Sequence, residues 1–121
     1  MKLKTALLSI FAAMSFAVLL LVQTPPAEND PRRIEVTAKR FEFARAEITL
    51  KKGEPVVLVL TSVDVPHGIR FKELGIETKI AKGKSSELAV TPDKTGTFVG
   101  HCSVFCGSGH GGMTLTLHVV D

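Results

Sequence analysis

From residue 33 onward the chain alternates apolar and polar positions, the period of two that puts successive side chains on opposite faces of a strand. Ile34, Val36 and Ala38 alternate with polar residues, as do Phe41 and Phe43, and Ile48 and Leu50. Residues 51–55 (KKGEP) read as a turn. Residues 56–60 (VVLVL) are a continuous apolar run, which predicts a strand buried on both faces. Residues 64–68 (DVPHG) read as a loop, residues 69–71 as a strand, and residues 74–80 as irregular. Residues 86–90, 97–101 and 113–120 complete the set. No stretch after residue 30 keeps a helical period for three turns, and no segment repeats. The pattern predicts an all-β sandwich or barrel.

The start of the chain has a different pattern. Residues 6–22 (ALLSIFAAMSFAVLLLV) have only Ser9 and Ser15 as polar positions, and Lys2 and Lys4 precede them. That is an export segment with its basic end left in the cytoplasm. Its length lies between the ~7–15 residues of a signal-peptide core and the ~17–25 of a spanning helix. Residues 1–23 are therefore expected to be a signal peptide or a single membrane anchor. The lack of a good small-x-small cleavage site favours the anchor. Residues 24–32, with Pro25, Pro26 and Pro31, form a linker, and residues 33–121 form the domain. On either reading the domain works outside the cytoplasmic membrane, in the periplasm or its equivalent. Membrane contact runs through residues 6–22 if they are uncleaved.

A chain of 121 residues allows one domain. The 15 Lys and Arg against 12 Asp and Glu look basic, but without Lys2 and Lys4 the balance is 13 to 12. Charge therefore gives no case for a nucleic-acid partner. Two cysteines are too few for a disulfide scaffold. No paired-carboxylate or nucleophile–base motif stands in a supporting context, so the chain alone is not expected to be an enzyme.

One segment carries the chemistry. Residues 100–113 read GHCSVFCGSGHGGM, with two thiols, an imidazole and a thioether at Cys102, Cys106, His110 and Met113. The segment joins two expected strands, and its glycines let it fold back tightly. Soft sulfur donors with imidazole suit copper and also zinc; the thioether tips the choice to copper. Each residue also has a plainer use. The cysteines could pair as a disulfide in an oxidising compartment. Met113 is in phase with Leu115, Leu117 and Val119, so it also fills core. His67 is the fifth candidate, in a loop that a sandwich can bring beside the 102–113 loop. Its alternative is an exposed loop histidine. Asp64 is the one acid near it. His118 and His101 are expected to point away from the site.

The pattern His67 … Cys102-x3-Cys106-x3-His110-x2-Met113 resembles the binuclear copper (CuA) site of cytochrome c oxidase subunit II, which also occurs in nitrous oxide reductase. The segments DVPHGI and HCSVFCGSGHGGM carry the match. The resemblance implies a cupredoxin-like Greek-key β-sandwich. It implies two copper ions bridged by Cys102 and Cys106, with His67 and His110 each binding one. Met113 and the backbone carbonyl of Val104 are then weak ligands. Val104, Phe105, Leu115 and Val65 are expected to form an apolar shell around the centre.

The reading these residues favour is an exported electron-transfer protein, similar to oxidase subunit II. Its partner would be a redox protein such as a c-type cytochrome or an oxidase subunit. The alternative is a periplasmic copper chaperone or storage protein using the same ligands. A third reading is a metal-free domain with a Cys102–Cys106 disulfide.

Overall fold

The computed structural model describes residues 30–121. The expected export segment, and all but the last residues of the expected linker, lie outside them. Nine strands follow one another: β1 Arg32–Lys39, β2 Glu42–Phe43, β3 Glu47–Lys51, β4 Val56–Ser62, β5 His67–Phe71, β6 Ile76–Ile80, β7 Ser85–Val90, β8 Gly96–His101 and β9 Thr114–Val120. The helical pieces among the described residues are two 3-10 turns, Lys72–Leu74 and His110–Gly112.

The strands form two sheets, β2-β1-β4-β7 and β3-β9-β8-β5-β6. β1 runs parallel to β4 and β3 parallel to β9; the other pairings are antiparallel. The core lies between the sheets. Ile34, Val36, Ala38, Leu58, Leu60, Leu88 and Val90 face Ile48, Leu50, Ile69, Phe71, Phe98, Leu115, Leu117 and Val119, all buried. This is the all-β sandwich that the period-two pattern predicts, with Ile34, Val36, Ala38, Phe43, Ile48 and Leu50 turned inward.

The apolar run 56–60 forms β4, between β1 and β7. Leu58 and Leu60 enter the core, and neighbouring strands shield Val59 on the other face. Three expectations change. Residues 74–80 are not irregular: Gly75 closes a 3-10 turn, and Ile76–Ile80 follows as β6. β6 is an edge strand, so Glu77 and Lys79 stay in water and blur the apolar signal. His67 and Gly68 are not loop residues; they open β5, paired with Ile80 and Lys79. Phe41 does not share the buried face of Phe43: it lies in the turn before β2 and is 39% exposed.

Candidate metal centre

The site is built at one end of the sandwich, where β8 runs out and β9 begins. The intervening loop is closed at its base by the Cys102 N–H donating to the Met113 carbonyl at 3.0 Å. Inside the loop, His110 N–H donates to Gly107 O and Met113 N–H to His110 O, which makes the 3-10 turn. Met113 stays fully buried on the inward face it shares with Leu115. His67 enters from the start of β5 and is also fully buried.

The expected donors converge. Cys102 and Cys106 are buried free thiols with sulfurs 3.9 Å apart, against about 2.05 Å for a disulfide bond. His67 Nδ1 lies 3.8 Å from Cys102 Sγ, and His110 Nδ1 lies 3.6 Å from Cys106 Sγ. Met113 Sδ is 3.9 Å from Cys106 Sγ, and the Val104 carbonyl oxygen is 3.2 Å from Cys102 Sγ. The ligand atoms of His67, Cys102 and Cys106 all lie within 4.8 Å of one another. His101 is exposed. His118 bonds to Glu47 and Thr97 on the outer sheet face. Both point away, as expected.

Hydrogen bonds outside the donor set fix its orientation. The Nε2–H of His67 donates to Asp64 Oδ1 at 2.8 Å, which leaves the Nδ1 lone pair free toward the sulfurs. The Asp64 carboxyl is held at about 2, chiefly by the backbone N–H of Arg40, with His67 and Val65 adding to it. The Cys106 thiol is pushed up to about 11, first by burial and then by the Cys102 sulfur beside it; the Arg40 charge pulls the other way. A metal held here by Cys106 would therefore displace its proton.

Arg40 and Phe41 were not legible as site residues. Arg40 Nε–H donates to the Cys106 carbonyl at 2.9 Å, while its backbone N–H donates to Asp64 Oδ2 at 2.7 Å. One residue thus ties both ligand-bearing segments together. Phe41 lies over the loop so closely that a Cβ at Gly109 would meet its ring at 2.5 Å and one at Gly107 at 2.9 Å. Gly107 also has φ +136°, in the region that disfavours side chains. The expected apolar shell is partly corrected. Leu115 is buried and Val65 packs against the core, but Phe105 is 78% exposed. It sits on the crest of the loop, its ring 5.6 Å from that of His110.

Residues 11–115 match the family model of the cupredoxin-like domain. This chain belongs to that family. Solved structures agree with the assignment. This cupredoxin is similar to the periplasmic domain of subunit II of cytochrome oxidase from Bradyrhizobium japonicum, at 22% identity over 80% of this chain and 87% of that one, with a TM-score of 0.68. A haem-copper terminal oxidase matches at 25% identity over 78% of this chain and 68% of that one, TM-score 0.67. A mixed disulfide between a thioredoxin-like protein and subunit II of cytochrome c oxidase matches at 21% identity over 84% and 88%, TM-score 0.62. His67, Cys102 and Cys106, with Met113, give this cupredoxin a CuA-like ligand set. Two buried thiols, a buried imidazole and a buried thioether form a soft donor set that fits copper.

Proposed function

We propose that this domain transfers single electrons through a binuclear copper centre on the outer side of the cytoplasmic membrane. The observation that carries the reading is the doubling of the donor set. There are two thiols, and each has its own imidazole Nδ1, His67 beside Cys102 and His110 beside Cys106. A single ion does not need that duplication; a pair of ions sharing two thiolates does. Met113 and the Val104 carbonyl are the remaining donors.

Copper bound there would supply one-electron exchange. The residues around it supply rigidity and dryness. Asp64 holds His67 in one tautomer, Arg40 holds the Cys106 backbone, and the loop is pinned to β9 at Cys102 and Met113. A cage fixed in this way reorganises little when its charge changes. Leu115, Val65 and the buried Met113 keep water out. Among the donor side chains of His67, Cys102, Cys106, His110 and Met113, that of His110 is the one only partly buried, which marks it as the exit or entry point for the electron.

Residues 1–23 are proposed to export or anchor the domain and residues 24–32 to link it. The periplasmic domain among its structural neighbours supports an extracytoplasmic site. A c-type cytochrome or an oxidase subunit is the proposed class of redox partner. The thiols must be reduced to load metal, and a thioredoxin-like reductant of the kind caught on the related subunit II suits that step. The test is copper uptake by the reduced chain. Two ions per chain are expected, with the second lost in Cys102→Ser and in Cys106→Ser; a single ion in the unaltered chain would overturn the reading.

A further inference from the structure

Five large apolar side chains are exposed among the described residues, and three of them stand at the copper end. Phe105 is 78% exposed, Val63 56% and Phe41 39%. Phe105 lies beside the His110 ring, and Phe41 covers Gly107 and Gly109. Val63 follows β4, its N–H bonded to the Ala38 carbonyl, next to Asp64. Phe105 is not part of the buried core. Exposed apolar side chains gathered at one end mark an interaction surface.

The charge around them is mostly positive. Lys39 and Arg40 precede Phe41 in the chain. Lys82 bridges to Ser62, the residue before Val63, and the Lys84 carbonyl accepts the Ser62 N–H. Both lysines are exposed, and neither is in an ion pair with another described residue. The acids at this end are already engaged. Glu42 pairs with Lys39 at 3.0 Å, and Asp64 is held by the Arg40 and Val65 N–H groups and His67. On the flank, a cavity of about 340 Å³ beside Cys102 is bordered by Arg70, Lys72 and His101 against one acid, Glu77, which faces Arg70.

We propose that the copper end docks a redox protein whose own contact face is apolar at its centre and acidic at its rim. The proposal rests on the electron-transfer reading above and specifies its partner. Phe105, beside His110, and Val63 supply the desolvated contact, and Lys82 and Lys84, which pair with no described acid, supply the steering charge. A strongly basic cytochrome would meet like charge here.

The test uses the full chain in a neutral detergent, loaded with copper, with metal content and paramagnetic resonance recorded first. Electron transfer is followed by stopped flow with two reduced probes, an acidic b-type and a basic c-type cytochrome. The acidic probe is expected to react faster at low salt and to slow about tenfold or more as salt screens the charges. Lys82→Glu with Lys84→Glu should cut its rate several-fold, and Phe105→Ser should lower the rate without changing the salt slope. A faster basic probe, or rates indifferent to salt and to the lysine reversals, would overturn the proposal. Amide shifts of the copper-free chain with the acidic probe separate the two claims. Shifts centred on Val63, Lys82 and Phe105 support docking even if no binuclear centre forms. A normal copper centre with no such shifts overturns docking and leaves the electron-transfer reading intact.

Discussion

The Arg40 guanidinium donates from Nε to the carbonyl of Cys106 at 2.9 Å, across 66 positions of sequence. The bond ties the turn before β2 to the middle of the metal loop. It also sets a permanent positive charge beside a thiol whose deprotonation it favours. A nearby cation stabilises the more electron-rich, reduced state of a bound centre. Arg40→Leu is therefore expected to lower the reduction potential by tens of millivolts, where about 59 mV is a tenfold change in a one-electron equilibrium. The same change should cost the copper-free chain about 1 kcal/mol for the lost hydrogen bond. Arg40→Lys should restore most of the potential. Voltammetry and urea unfolding check both parts; an unchanged potential in the leucine variant would show that the charge is not felt.

Phe41 and Gly109 form a second clasp on the same loop. Gly109→Ala would drive a methyl group into the Phe41 ring, at a cost of about 1–3 kcal/mol for overpacking. Phe41→Leu should relieve much of that cost, so the double variant should be more stable than the sum of its singles. Denaturant unfolding of the four proteins measures the coupling. Additive losses would mean that the loop yields without touching residue 41.

Asp64 gives the copper-free protein a defined acid sensitivity. Its folded pKa of about 2 lies below the ordinary value of 3.8. The stabilisation it contributes is complete above the ordinary value and is lost as pH falls through the folded value. Thermal unfolding should therefore weaken between about pH 4 and pH 2 more steeply in the native chain than in Asp64→Asn. Parallel curves would place the acid sensitivity in other carboxylates.

Met113 is buried in the core and also lies 3.9 Å from Cys106 Sγ, so its two roles can be separated. Met113→Leu conserves volume and should cost less than about 1.5 kcal/mol. Copper content should match that of the unaltered chain while the potential shifts. An unshifted potential, read by voltammetry, would reduce Met113 to a packing residue.

Most of the sandwich and all of the proposed donor side chains could be read from the sequence, because both follow local rules. Alternation named Ile34, Val36, Leu115 and Leu117 as core. The spacing from Cys102 to Met113 named four donors in one loop. The surrounding contacts were hidden for the same reason. Arg40 meets Cys106 only after β1 and β8 are brought to one end of the sandwich. Asp64 stood three residues before His67, where an Asp on a tight turn can reach back to the ring, yet nothing local distinguishes it from a loop acid. β6 is hidden in the sequence because an edge strand keeps Glu77 and Lys79 in water. Apolarity alone puts Phe105 in the shell around the centre, and the loop turns it outward.

Two thiolates and two imidazoles are proposed to hold a pair of coppers that share one electron. The direct test is copper per chain together with the electron paramagnetic resonance spectrum of the reduced, copper-loaded and desalted protein after one-electron oxidation. Two coppers and a single unpaired electron spread over two equivalent nuclei are expected. One copper with a mononuclear hyperfine pattern, or no retained copper, would contradict it.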